Sequence, residues 1–131
     1  MADVNRGNRP LSPHMTIYKW GITGISSILT RITGNALIVA SLMIVWWFAA
    51  LASGPEAFAR ATAFNTSWFG DLVFLGSVWA LWYHSLAGLR HLYWDTGRGL
   101  RIDIAEKLGW GVVIGSVVLT ILTVIVFLVA S

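Results

Sequence analysis

Three long apolar stretches dominate the chain, separated by shorter segments with charged residues, glycine and proline. The uncharged or nearly uncharged runs are 32–55, 72–89 and 108–131. A helix rises ~1.5 Å per residue and the hydrocarbon layer is ~30 Å thick, so about 20 residues cross a bilayer. The pattern predicts an all-α integral membrane protein, a single transmembrane domain over 1–131. We place its three spanning helices at about 23–53, 67–94 and 107–130.

The segments between these runs predict a polar N-terminal stretch over 1–22 and loops near 53–67 and 95–106. In "SGPEAF", Gly54 and Pro55 are expected to end the first helix, and "DTGRG" to end the second. Glycine and proline do not readily extend a helix, which is the reason for both boundaries.

Composition supports a membrane location. The chain is 56% hydrophobic and only 11% charged over 131 residues, more apolar surface than so small a domain can bury within itself. It has eight tryptophans, a residue that favours the headgroup region. The absence of cysteine excludes disulfides, thiolate metal ligands and iron–sulfur ligation by this chain.

Basic residues cluster around two of the segments outside the spans. Four precede or open the first span and four lie at the second connection: Arg6, Arg9, Lys19 and Arg31, then Arg90, Arg98, Arg101 and Lys107. The first connection carries only Arg60. Because basic loops stay inside, we expect a cytoplasmic N-terminus and second connection, an external C-terminus, and a basic face suited to acidic lipids or an acidic protein partner. The N-terminal stretch has neither signal-peptide nor transit-peptide character, so we expect a bacterial inner membrane rather than a mitochondrial one.

The segment "WYHSLAGLRH" places imidazole at membrane depth. His84 and His91 are nearly two turns apart and share a helix face, with Gly88 between them. If Arg90 marks the interface, His84 lies about 9 Å inside it; ionisable groups there usually serve an ion path, a relay or a cofactor. A haem fits, since imidazole ligates its iron and His91 and Arg31 are candidate partners of its propionates. The alternative is a neutral His84 bonded to a neighbouring helix and a merely interfacial His91.

One deep histidine supplies only one axial ligand. His91 lies on the same helix face as His84, so it cannot be the second ligand of a bis-histidine haem. Either another subunit provides the sixth ligand or the iron is five-coordinate.

The segment "GISSILTRITG" holds a second group of polar residues. Ser27 and Arg31 are four residues apart on one helix face. A hydroxyl and a guanidinium that converge at the membrane edge can bind a carbonyl oxygen, as a quinone headgroup requires. The alternative is an interhelix hydrogen bond by the serine and a topology signal from the arginine.

Taken in order, "RPLSPHMTIY", "SSILTRITG" and "HSLAGLRHLYWD" with three spans resemble the cytochrome b large membrane-anchor subunits of succinate dehydrogenase, respiratory complex II. The resemblance implies that His84 ligates the iron of haem b, that Arg31 and His91 contact its propionates, that Ser27 and Arg31 bind ubiquinone, and that Asp95 lies near the partner-facing surface. One position departs from it: many members have histidine where this chain has Thr30, which puts one propionate contact in doubt.

The resemblance also implies partners. A smaller membrane-anchor subunit would supply the second haem ligand and complete a heteromeric helix bundle of which this chain is half. An iron–sulfur subunit and a flavoprotein subunit would dock at the inner face and deliver electrons from succinate. No nucleic-acid partner is expected.

The sequence thus predicts a subunit of succinate:quinone oxidoreductase that contributes to the quinone site and has no catalytic centre for succinate. Within the same class, the alternative is an anchor of a fumarate reductase that works with menaquinone. From another class, the chain could be a small proton-conducting protein that uses His84, Arg31 and Asp71. A structural anchor without a cofactor would leave His84 unexplained.

Overall fold

The computed structural model describes His14 and residues 16–130, and over this range the chain is helical without strands. The helices are α1 (Ile22–Ser53), α2 (Pro55–Asn65), α3 (Trp68–Asp95) and α4 (Ile102–Ala130). Three of them, α1, α3 and α4, are long and apolar enough to cross a membrane. The all-α, three-span prediction is therefore confirmed. The part of the predicted polar stretch that covers 1–13 lies outside the described residues.

The predicted loop near 53–67 is wrong, because most of it forms the short helix α2. Gly54, with φ of 118°, ends α1, and Pro55 then occupies the first turn of α2. Proline fits that position because its missing N–H would have no helical partner there. Helix α2 folds back on the end of α1, where the indole N–H of Trp47 donates to Thr62 Oγ1 at 3.1 Å.

The second connection is also shorter than predicted, since α4 begins at Ile102. Its first turn carries Asp103, whose charge suits the positive end of a helix. The remaining connection includes Gly97 and Gly99, both with positive φ. This backbone conformation favours glycine and lets the chain reverse direction within a few residues.

Helix α3 lies at the centre of the fold and packs against both α1 and α4. Small residues line these contacts: Ser26, Thr33, Ala80, Ala87, Gly109 and Ser116 are all buried. Small side chains let helix backbones approach closely, as is common between membrane helices. Tyr83 is the largest fully buried side chain in the described range. On the α3–α4 side, the indole N–H of Trp82 donates to Thr123 Oγ1 at 2.9 Å.

The turn from α2 into α3 depends on a glycine. Ser67 caps α3 by accepting a hydrogen bond from the backbone N–H of Gly70 at 3.3 Å. A Cβ atom added to Gly70 would collide with the carbonyl group of Asn65, which is backbone and cannot rotate away. By contrast, a Cβ on Gly76, further along the same helix, would meet nothing within 4 Å.

We therefore expect Gly70→Ala to destabilise the purified chain in detergent by about 1–3 kcal/mol, as overpacking typically does. The matched variant Gly76→Ala should be neutral or stabilising by up to ~1 kcal/mol, because alanine favours a helix over glycine. Thermal melting followed by circular dichroism measures both. Equal melting temperatures for the two variants would contradict the proposed close contact.

Candidate functional site

His84 lies on α3 at the contact with α1, where it is half-buried. Its Nδ1 is 3.1 Å from the carbonyl oxygen of Thr30 and 3.4 Å from Thr33 Oγ1. A carbonyl oxygen only accepts, so Nδ1 carries the proton and donates it. Nε2 is then the nitrogen with the lone pair, and no described residue hydrogen-bonds to it. This arrangement, one ring nitrogen held by backbone and the other free, is typical of an imidazole that binds a metal centre.

Two glycines shape the space around His84. A Cβ on Gly34 of α1 would lie 3.0 Å from His84 Cε1, so the absence of a side chain there lets the imidazole rest against α1. A Cβ on Gly88 of α3 would meet nothing within 4 Å. One turn beyond His84, the helix thus presents bare backbone beside open space. The sequence pointed to Gly88 as a gap for a flat group, whereas the contact of Gly34 with the histidine required the structure.

Ser27 and Arg31 lie on the outer side of α1. Ser27 is half-buried and Arg31 is exposed, and within the described part of the chain neither side chain has a hydrogen-bond or ion-pair partner. Arg31 and Gly34 are three residues apart, ~4.5 Å along the axis and on the same face. Because Gly34 lies against His84, Arg31 is within one turn of the α1 residue that meets the imidazole.

His91 and Asp95 continue the same side of α3 toward its C-terminal end. Both are exposed. His91 lies ~10 Å beyond His84 along the axis, and its ring meets the Trp94 ring edge to face at 5.1 Å. Asp95 is the last residue of α3 and forms no ion pair with any described residue. The two side chains are therefore separate from the His84 contact and accessible from outside this chain.

Thr30 has two roles at the contact. Its hydroxyl donates to the carbonyl oxygen of Ser26 at 2.8 Å, and its own carbonyl accepts from His84. The Thr30 side chain therefore bonds within α1, while the backbone of the same residue orients the imidazole.

A buried polar cluster next to this surface was not anticipated from the sequence. Arg90, interpreted there as an interfacial basic residue, is only 4% exposed. Its Nη1 donates to Ser26 Oγ at 2.8 Å, and its guanidinium carbon lies 4.7 Å from the centre of the Trp94 ring. Tyr83 donates its hydroxyl to the carbonyl oxygen of Ser26 at 3.0 Å. The sequence signal for this cluster was that Tyr83 and Arg90, seven residues apart, share the helix face that Ala87 leaves thin.

The donor set suits a metal that is already held in a macrocycle better than a free ion. The described residues contain no group of three or more histidine, cysteine, aspartate or glutamate side chains that could hold a metal ion. A haem iron needs only one or two protein ligands. Such a group needs an iron ligand, room for a flat ring and polar partners for its propionates. His84 with its free Nε2 offers the first, the open space at Gly88 offers the second, and the exposed Arg31 and His91 offer the third.

Comparison with known proteins identifies the family. Residues 5–123 match the family model described as succinate dehydrogenase/fumarate reductase transmembrane subunit. The chain is 54% identical over 129 residues to the succinate dehydrogenase cytochrome b556 subunit of Paracoccus denitrificans, covering 98% of this chain and 99% of the relative. It is 40% identical over 114 residues to the same-named subunit of Rickettsia conorii, covering 87% and 89%. It is also 36% identical over 110 residues to the mitochondrial cytochrome b560 subunit of Mus musculus, covering 82% and 64%.

Three apolar helices, the polar α1–α3 surface and these matches lead to one conclusion. The chain belongs to the family of succinate dehydrogenase/fumarate reductase transmembrane subunits, as a cytochrome b membrane-anchor subunit of succinate dehydrogenase.

Proposed function

We propose that this chain binds haem b and ubiquinone at its α1–α3 surface and, within succinate dehydrogenase, passes electrons from an iron–sulfur subunit to the quinone. The observation that carries the proposal is the imidazole of His84, whose Nδ1 is held by the Thr30 carbonyl while no described residue hydrogen-bonds to Nε2. The names of the relatives, cytochrome b556 and b560 subunits, support the same assignment.

In this proposal, His84 Nε2 would ligate the haem iron, and Arg31 and His91 would neutralise the propionates. Haem, when bound, would supply a one-electron redox centre. The hydrogen bond to Thr30 keeps the imidazole in the tautomer that can ligate and limits its rotation about the side-chain bonds. A second, smaller membrane-anchor subunit would provide a second ligand, since His91 is on the same face of α3 as His84.

Ser27 and Arg31 would bind the quinone headgroup as hydrogen-bond donors. Reduction of ubiquinone to ubiquinol takes up two electrons and two protons, and negative charge on the ring oxygens is stabilised by donors that are already in place. The electrons originate in succinate and reach the membrane through the flavoprotein and iron–sulfur subunits. A cationic guanidinium and a hydroxyl that have no partner among the described residues are available to donate to that oxygen.

The proposed orientation puts the N-terminus and the α3–α4 connection in the cytoplasm of a bacterium, with the helices in its inner membrane. Asp95, at the cytoplasmic end of α3, would then face the peripheral subunits. A fumarate reductase anchor that uses menaquinone would have the same architecture. A proton path through His84 and Asp71 fits less well, because thirteen residues separate them on α3, ~20 Å along the axis.

We expect His84→Leu to abolish or strongly weaken the reduced-minus-oxidised haem b spectrum of the purified complex, because leucine cannot coordinate iron. The matched variant His91→Leu should retain the low-spin spectrum, since that imidazole is not an iron ligand. An unchanged spectrum in His84→Leu would refute the assignment.

We expect Ser27→Ala and Arg31→Ala to lower succinate-dependent quinone reduction by about tenfold or more, the effect of losing a hydrogen bond to a charged or partly charged group. Electron transfer from succinate to an artificial soluble acceptor should persist, because that acceptor bypasses the membrane site. Ser41→Ala, an exposed serine further along α1 that bonds only its own helix, is the control. If both assays fell together and the complex dissociated, the two residues would be structural.

Expressed alone, the chain should bind haem poorly, and co-expression with the small anchor subunit should restore binding. The physical reason is that the site faces outward from this chain and offers one deep imidazole. Haem content per chain, measured spectroscopically after purification, checks this. A monomeric, six-coordinate, haem-replete product from this chain alone would contradict the heteromeric site, and a haem-bound homodimer would replace the partner by a second copy.

A further inference from the structure

Arg90 is a buried cation without an anionic partner in the described part of the chain. The ion pairs there are Arg60 with Glu56 and Arg101 with Asp103, both on the exposed surface. Nη1 of Arg90 bonds to Ser26, while Nε is buried without any acceptor. Burying a charge inside a membrane protein is costly, and such residues usually serve a function. Neither the haem nor the quinone assignment uses this one.

Arg90 belongs to a set of α3 side chains that bind two successive turns of α1. Arg90 holds the hydroxyl of Ser26, Tyr83 holds the carbonyl of Ser26, and His84 holds the carbonyl of Thr30. The carbonyl groups of Ser26 and Thr30 are one helical turn apart, and the hydroxyl of Thr30 donates to the carbonyl oxygen of Ser26. These bonds determine how α1 is rotated and shifted relative to α3.

The start of α1 depends on such contacts because its N-terminus has no side-chain cap. Gly21 at the N-cap provides no side-chain hydrogen bond, and the first turn has no acidic residue. Uncapped helix ends fray readily. Ser26, fully buried, is therefore a point at which the first turns of α1 are held from outside the helix.

The rotation of α1 at Ser26 sets the direction of its neighbour. Consecutive residues project about 100° apart around a helix, and residues four apart share a face. With Ser26 held inward by Arg90, Ser27 is directed to the side, and Arg31 follows it one turn later. Loss of the Arg90–Ser26 bond would remove one of the three contacts that determine this rotation, and would loosen the orientation of Ser27.

We propose that Arg90 is a positioning residue for the quinone site: through Ser26 it holds the α1 rotation that directs Ser27 and Arg31 toward the quinone. This inference rests on the proposed function. Arg90 is buried and does not itself contact quinone. Its guanidinium suits the task because it donates to Ser26 while its planar face lies over Trp94.

The test uses the assembled complex with Arg90→Met, Ser26→Ala and the double variant. Methionine is apolar and of similar length, and replacing a buried ion by such a residue is often neutral for stability. Arg60→Met, which removes an exposed arginine on α2, is the matched control. The measurements are KM and kcat for a water-soluble ubiquinone analogue, the rate with an artificial soluble acceptor, the haem spectrum and the melting temperature.

Each single variant should raise the KM for the quinone analogue by roughly threefold to tenfold, about the effect of one such hydrogen bond. The rate with the artificial acceptor and the haem spectrum should not change, and Arg60→Met should behave as the parent. The double variant should be no worse than the more impaired single variant, because both remove the same contact. Ser26→Ala, the milder change, keeps the test valid if Arg90→Met does not assemble.

A lower melting temperature with an unchanged KM in Ser26→Ala would overturn the proposal, since Arg90 would then only stabilise the bundle. Additive effects in the double variant would overturn it as well. If Ser27→Ala raises the KM and Ser26→Ala does not, the positioning role fails and the quinone site stands. If Ser27→Ala and Arg31→Ala themselves leave the KM unchanged, the quinone site fails, and the positioning role fails with it.

Discussion

The contact between α1 and α3 is the interaction on which the candidate site depends. It is made by hydrogen bonds from α3 side chains to α1, two of them to backbone carbonyls that already belong to the helix. A carbonyl has two lone pairs, so it can serve the helix and a second donor at once. In lipid no water competes for these donors, and each would be costly if left unpaired. The same bonds therefore hold the helices together and orient the imidazole of His84.

The outward surface of the fold is the counterpart of this contact. Many of the large apolar side chains on α1, α3 and α4 are exposed. Such a surface suits contact with lipid and with neighbouring subunits, whose presence is implied by the term subunit in the names of the relatives. The side chains of the candidate site share that surface: His84 is half-buried, while Arg31, His91 and Asp95 are exposed. A site that faces outward is open to a second chain, whereas Trp82 on the α4 side of α3 bonds to Thr123 within this chain.

Thr30 takes part in the α1–α3 contact through its backbone. What α1 contributes to His84 at this position is a carbonyl oxygen, which every residue has. The threonine hydroxyl bonds back to Ser26 within its own helix. The orientation of His84 therefore does not depend on the side chain at this position.

The sequence by itself determined the fold class and the three spans, and it proposed the residues of the candidate site. Hydrophobic runs long enough to cross a bilayer have few alternatives in lipid, and helix periodicity places Ser27 with Arg31 and His84 with His91 before any packing is known. Periodicity within one helix does not give the rotation of one helix against another. Only the tertiary structure decided that Arg90 turns inward to Ser26 and that Gly34 receives the imidazole, because each depends on which surfaces meet across helices far apart in the chain.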